Sequence, residues 1–241
     1  MAELNNKKVV ITGTTRGMGK ALATKLAENG AHVIMVSRDK EKNEALAQEL
    51  MKLQGSAEAW TAEMSDEEGV KETAKKIAEK HQVLDILINN ASINNEKPDT
   101  RIGNIDTDSL RYILDVNLFA PIVLVRELLP SLKKSKEGRI INFSSGLGKL
   151  TGERPDFYPS YSISKTALNA VTKFLDQELS ETDESVKAFS LDPGWVRTDL
   201  GGPNATFSIE EGIDTPYWLC TEAFNRLESG AFYYEREVMD W

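Results

Sequence analysis

Short runs of β-branched and other apolar residues alternate with longer stretches of helical periodicity along the whole chain, and this alternation narrows the fold more than any other feature. Val9-Val10-Ile11 reads as a strand, and residues 20–29 place Ala and Leu at helical spacing before Gly30, a C-cap residue. His32 to Val36 reads as a second strand. Asp39 caps a helix reaching about Leu53, and Ala57 to Glu63 makes a third strand. Ser65, with Glu68 three residues on, has the form of a capping box for a helix to about Lys80. Val83 to Asn89 is strand four, Asp108 to Lys134 a long helix and Arg139 to Phe143 strand five. A helix through Tyr161 and Lys165 runs to about Glu181, followed by strand six at Val186 to Leu191, a helix from Ile209 and a last strand at Ala231 to Tyr234. This order predicts an α/β fold, a doubly wound parallel sheet of about seven strands with helices on both faces.

At 241 residues the chain can bury one sizeable core. No domain boundary, repeat or low-complexity tract interrupts it, so residues 1–241 are expected to form a single domain. A net charge of −9 without a basic patch argues against nucleic acid and anionic membrane as partners. One cysteine, Cys220, cannot form an intramolecular disulfide, and two histidines without a Cys/His cluster leave little for a zinc site, so no metal is expected. The polar start Met1 to Lys8 lacks the apolar core of a signal peptide, and the apolar run from Leu118 to Val125 is short and interrupted by Pro121. A cytoplasmic protein is expected.

Between the first strand and helix lies Thr12-Gly13-Thr14-Thr15-Arg16-Gly17-Met18-Gly19. Glycines let the backbone turn sharply and approach a ligand, and the free N–H groups opening the next helix favour an anion. A dinucleotide pyrophosphate fits that place, which makes the sheet a Rossmann fold, although the spacing is Gly-x-x-x-Gly-x-Gly rather than Gly-x-Gly-x-x-Gly. Strand two ends Val36-Ser37-Arg38, with Ser37 where NAD-binding sheets carry an acid for the ribose. A guanidinium fork matches phosphate geometry. Arg16 and Arg38 converging on one ribose therefore select NADP(H), and Asp39 is read as the helix cap.

Tyr161-Ser162-Ile163-Ser164-Lys165 places an ammonium one helical turn from a phenol. A fixed cation favours the phenolate and lowers a tyrosine pKa from about 10, which makes the hydroxyl usable in proton transfer. Many helices carry such a pair by chance, so its meaning depends on its company.

That company resembles the short-chain dehydrogenase/reductase family. The glycine loop, Asn89-Asn90-Ala91, Asn117, Ser144-Ser145, Tyr161-x-x-x-Lys165 and Pro193-Gly194 match its order and spacing over nearly the whole chain. Asp192-Pro193-Gly194-Trp195-Val196-Arg197-Thr198-Asp199-Leu200, Pro203-Asn204-Ala205-Thr206, Glu210-Glu211-Gly212 and Gly230-Ala231-Phe232 are similar to the NADPH-dependent carbonyl reductases of that family; several of those carry an insertion before the tyrosine that this chain lacks. The resemblance implies that Tyr161 protonates the substrate oxygen, that Lys165 lowers its pKa and bonds the nicotinamide ribose, and that Ser145, followed by x-x-Gly, polarises the carbonyl. Ser144 is left to bond backbone, and Asn117 to hold a water next to Lys165. It also implies that the cofactor touches Gly13, Thr15, Arg16, Gly17, Met18, Gly19, Ser37, Arg38, Asn90, Ala91, Tyr161, Lys165, Pro193, Gly194, Val196 and Thr198. Glu63 and Met64 stand where the family has an Asp and a hydrophobic residue against the adenine. Ser92 replaces a common glycine, Asn89 is read as structural, and Asp192 has no account from sequence.

Gly146 to Tyr158 and Trp195 to Phe207 should wall the substrate pocket with Leu147, Phe157, Tyr158, Trp195 and Phe207, a set suited to a hydrophobic aldehyde, ketone or quinone. Lys149 and Arg154 offer charge for an anionic substrate instead. The expected activity is NADPH-dependent carbonyl reduction. An NADP-dependent alcohol or sugar-alcohol dehydrogenase using the same site in reverse is the alternative, and a dinucleotide sensor without activity is the alternative from another class. Family members lacking the insertion pair as homo-oligomers through the long helix and the catalytic helix; the apolar stripe from Leu118 to Leu129 serves such pairing or core packing equally.

Overall fold

The alternation folds as β1 (Lys8–Thr12), α1 (Gly17–Glu28), β2 (His32–Ser37), α2 (Lys40–Leu50), β3 (Ser56–Thr61), α3 (Glu67–Lys80), β4 (Ile86–Asn89), α4 (Thr107–Leu114), α5 (Ala120–Leu132), β5 (Gly138–Phe143), α6 (Pro159–Thr182), β6 (Val186–Leu191), the one-turn α7 (Ile209–Gly212), α8 (Asp214–Thr221), β7 (Phe232–Tyr234) and β8 (Glu237–Met239). This structure is a computed structural model that describes residues 4–152, 157–182 and 185–241. The strands form one sheet in the order β3-β2-β1-β4-β5-β6-β7-β8. All neighbours are parallel except β8, which returns antiparallel on β7. Strand order reverses between β1 and β4, and the carboxyl ends there form the crevice where open α/β sheets bind ligands.

Why the strands read as continuous apolar runs is clear from their two faces. Val9, Ile11, Val33 and Met35 pack with Leu22 and Leu26 of α1. Val10, Ile34 and Val36 pack with Val70 and Ile77 of α3 and with Val123, Leu124 and Leu128 of α5 on the other side. A sheet covered on both sides leaves no polar face. Most of the apolar stripe of α5 is thus core, since Val123, Leu124, Val125 and Leu128 are buried.

Three details differ from the sequence reading. The sheet has eight strands rather than about seven, because β7 turns into β8 through Glu235 and Arg236, both at positive φ (47° and 64°). Two consecutive left-handed residues make the tight turn whose twist suits a hairpin. The single long helix is divided by a π turn at Asp115–Phe119, where the Ala120 N–H reaches back to the Asp115 carbonyl. Pro121 follows at once and lacks the N–H that would close on Asn117, which explains why regular helix fails at this point. The cap of α3 is Asp66, accepting from Gly69 N at 3.1 Å, and not Ser65. Among the described residues no helix is long and apolar enough to cross a membrane.

Candidate active site

The glycine loop lies against the end of β4. Gly13 has φ +73°, and a Cβ there would meet Ala91 Cα at 3.0 Å; a Cβ on Gly19 would stand 2.1 Å from the Gly13 carbonyl oxygen. Only glycine permits that approach of helix to loop. Thr12 Oγ1 accepts from Asn90 N (3.1 Å) and Ala91 N (3.0 Å), while Asn90 Nδ2 donates to the carbonyls of Thr12 (2.7 Å) and Gly13 (3.2 Å). Asn90 therefore braces the loop with its side chain. Asn89 bonds Asn142 across β4 and β5 at 2.8 Å.

Helices α2, α3 and α4 are each capped by an aspartate at their first turn. Arg16, at the N-cap of α1, gives no side-chain cap bond. An uncapped helix end aimed into the switch-point crevice suits an anion, so the loop fits the pyrophosphate of a dinucleotide. Ser37 Oγ, closing β2, donates to Thr15 Oγ1 at 3.4 Å, which joins strand end to loop. Arg16 Nη1 lies 2.8 Å from Asp199 Oδ2 and Arg38 Nη1 3.7 Å from Glu63 Oε2, both pairs exposed. Such surface pairs contribute about 0–1 kcal/mol, so either guanidinium can exchange its carboxylate for a phosphate. Thr198 overlies Gly17, its Cγ2 3.3 Å from where a Cβ would stand.

Other sequence-predicted contacts are turned inward. Val196 is 3% exposed, and both it and Met18 pack at Gly212, whose added Cβ would meet Val196 Cγ2 at 2.5 Å and Met18 Sδ at 3.1 Å. Met64 is 8% exposed and packs with Val70 and Ala74 in the core. These residues offer the crevice backbone rather than side chain. Gly194, at φ +76°, lies beneath the Phe207 ring, 2.7 Å from a would-be Cβ.

Tyr161 and Lys165 meet as their spacing predicts, with Lys165 Nζ 5.5 Å from the Tyr161 ring centroid. Lys165 is 1% exposed and donates to the Phe143 carbonyl at 2.7 Å. Burial brings its pKa down to about 7. Part of Tyr161 remains at the surface, yet burial of the rest pushes its hydroxyl up to about 12; the Asp192 charge adds to this, and hydrogen bonds with Ser92 and Ser145 work against it. The expected lowering of the tyrosine by Lys165 is thus not found. A desolvated lysine that is only partly charged near neutral pH is a weak source of stabilisation for a phenolate. With protein groups alone, Tyr161 holds its proton at neutral pH.

Ser145 opens a 3-10 turn at Gly146–Gly148, accepting from Leu147 N at 3.2 Å, and hydrogen-bonds Tyr161. Ser144 donates to the Lys165 carbonyl at 3.3 Å, a backbone role. Asn117 uses its whole side chain. Oδ1 accepts from Ile93 N (2.9 Å) and Ser92 Oγ (3.2 Å), and Nδ2 donates to Ile93 O (2.9 Å) and Ser164 Oγ (3.1 Å). Asn117 therefore ties the segment after β4 to α6, and these four bonds saturate its side-chain amide.

Sequence reading missed three residues. Ser92, which in sequence only replaces a common glycine, belongs to the tyrosine's hydrogen-bond set. Asp192 accepts from Gly194 N at 3.0 Å and from the Gly146 backbone, joining the loops that follow β6 and β5. Glu96 accepts from Ser160 N (3.1 Å) and Tyr161 N (2.9 Å), one carboxylate oxygen each, and so caps the catalytic helix from a distant loop. The missing local cap was the signal, since Tyr158 precedes Pro159 where Ser, Thr, Asp or Asn is usual. Around the mouth, Phe157 and Tyr158 pack edge to face at 5.2 Å and Trp195 is 53% exposed, so part of the apolar set forms a rim. Arg154 lies outside the described residues.

A doubly wound sheet with a glycine loop at its switch point and a Ser, Tyr and Lys set at the neighbouring strand ends defines a dehydrogenase class of fold. The family model described as short chain dehydrogenase matches residues 7–207, and the chain belongs to this family of oxidoreductases. It is 35% identical over 207 residues to dehydrogenase/reductase SDR family member 7B of Xenopus laevis, covering 83% of this chain and 61% of that relative's length. A 3-oxoacyl-acyl-carrier-protein reductase of Aquifex aeolicus is 34% identical over 200 residues, 82% of this chain and 77% of the relative. A blue fluorescent protein from a metagenomic library, solved in complex with NADPH, superposes with a TM-score of 0.83 at 26% identity, covering 95% of this chain and 96% of that one.

Proposed function

We propose that the protein reduces a carbonyl, that of a hydrophobic aldehyde, ketone or quinone, to an alcohol with NADPH. The observation that carries this reading is Tyr161 hydrogen-bonded to Ser145, with the buried Lys165 alongside, at the sheet's carboxyl edge. When bound, NADPH would be the source of the hydride that reduces the carbonyl carbon. Ser145 and Tyr161 hold the carbonyl oxygen, Tyr161 gives it a proton as negative charge develops, and Lys165 with the Asn117-braced segment keeps the phenol in place. The glycine loop, Asn90 and Ala91 would hold the pyrophosphate side, Arg16 and Arg38 the 2′-phosphate and Glu63 the adenine side; Pro193, Gly194, the backbone of Val196, and Thr198 would hold the nicotinamide end. The NADPH in the metagenomic structure and the reductase among the relatives support the reading. Its single cysteine, Cys220, is buried and free, which suits a reducing cytoplasm.

The test is NADPH consumption at 340 nm over a panel of aldehydes, ketones and quinones. Wild type is expected to turn over a hydrophobic member, and Tyr161→Phe to lose at least about 10²-fold in kcat, the usual scale of general-acid catalysis, while NADPH binding by fluorescence is kept. A Phe variant with most of its activity refutes the proton donor. Turnover only of alcohols with NADP+ moves the physiological direction to oxidation. Tight NADPH binding with no turnover on either panel turns the reading into the sensor.

A further inference from the structure

The chain has two histidines, far apart in sequence, and the fold brings them to one carboxylate. His32 is the first residue of β2, Glu58 lies in β3, and His81 closes α3 as its C-cap. One ligand atom from each lies within 4.8 Å of the others, and the imidazole centroids are 5.4 Å apart. His81 Nε2 is 2.7 Å from Glu58 Oε1. His32 Nδ1 is 2.7 Å from Ser56 Oγ, the residue opposite it in the sheet register.

The informative atom is His32 Nε2, which is buried and has no hydrogen-bond partner. An orphaned ring N–H costs about 1–3 kcal/mol. The tautomer that escapes this cost donates Nδ1–H to Ser56 and leaves Nε2 as a bare lone pair available to a ligand. A second ring nitrogen bonded in this way is what orients metal-ligating histidines.

We propose that His32, Glu58 and His81 form a binding site for a borderline divalent cation of the Zn2+ type. Two imidazoles and one carboxylate suit such an ion better than Mg2+ or Ca2+, which prefer all-oxygen shells. The ion takes the place of the proton shared by His81 and Glu58, which is released, and gains His32 Nε2 as third ligand. Trp60 Nε1, 2.7 Å from Glu58 Oε1, stays as an outer hydrogen bond. Lys80 contacts the other carboxylate oxygen from an exposed position and can swing away. The cluster lies at the amino-terminal half of the sheet, away from Tyr161. Its effect is to cross-link β2, β3 and the end of α3, and it does not depend on the reaction proposed above.

Tag-free, chelator-treated protein titrated with Zn2+ in a calorimeter should bind one equivalent and gain in Tm. His32→Gln and His81→Gln should lose that equivalent, and Ser56→Ala, which only orients His32, should weaken it roughly tenfold. Absence of saturable binding to folded wild type, or unchanged affinity in both histidine variants, overturns the site. Should those variants fail to fold, NMR of wild type decides, because the chain has only these two histidines. Zn2+ moving both imidazole sets supports the site, and either set unmoved refutes it.

Discussion

Lys165 is held where a cation is costly. Its pKa falls from 10.5 to about 7 through burial, a difference on the order of 5 kcal/mol at 1.36 kcal/mol per unit. The unfolded chain keeps this proton up to about 10.5 while the folded one releases it near 7. Between those values the unfolded state binds more protons, so stability rises with pH. Lys165→Met keeps the stem, removes the charge and leaves the Phe143 carbonyl without its donor, a loss of about 1–3 kcal/mol. The larger effect wins at low pH. The variant should therefore melt higher than wild type at pH 6, with the gap closing as pH rises above 7 and reversing near 10; a gap independent of pH refutes the buried charge. Arg16 and Arg38 make the opposite kind of prediction, since both are exposed and lightly paired. The double alanine variant should weaken NADPH by at least about 2–3 kcal/mol, the scale of lost charge-assisted bonds, and leave NADH nearly unchanged. Equal losses for both cofactors mean that the 2′-phosphate is held elsewhere.

At the scale of elements, α6 depends on a residue outside it. Glu96 satisfies two of the N–H groups that open α6, one of them belonging to Tyr161. A lost cap costs about 0.5–2 kcal/mol, and here the first turn carries Tyr161, the proposed proton donor. Glu96→Ala is expected to lower Tm by several degrees and kcat more than KM, whereas Glu96→Gln, which keeps one acceptor, should recover part of both. Equal kinetics in the two variants refute the positioning role. This contact also marks where sequence stops being legible. Tyr161 and Lys165, Gly13 and Gly19, and a structural role for Asn89 follow from spacing and strand order. Glu96 does not, because it reaches α6 from a loop more than sixty residues earlier. The Glu235-Arg236 turn carries no Gly or Asn to announce its positive φ, so β8 goes unread. The π turn hides inside good helical periodicity until Pro121 is seen to remove a donor. Asp192 looks odd in sequence because its two partners are backbone groups of separate loops.

For the molecule as a whole, the question is what covers α6. The apolar stripe of α5 is spent on the core, where Leu124 and Leu128 are almost fully buried. Another stripe remains outside. Ile163, Ala167, Ala170 and Phe174 follow one another at spacings of four, three and four along α6, one face of a helix. Ile163 is 39% exposed and Phe174 73%, and the Phe119 ring of the adjoining π turn is 44% exposed. Small residues between two large ones let a second helix approach closely, and a stripe like this suits an isologous contact in which α6 meets α6 of another copy. Two-fold symmetry counts each side chain twice. Burying one phenylalanine is worth about 1.5–3 kcal/mol, so Phe174→Glu should remove roughly 3–6 kcal/mol from the pair, at least about two orders of magnitude in Kd. Sedimentation equilibrium is expected to show wild type as a dimer or a dimer of dimers and the variant as smaller species at the same concentration. Because Phe174 lies three turns from Tyr161 on the outer face, NADPH binding by the variant should be unaffected. Identical sedimentation of the two proteins removes α6 from the interface.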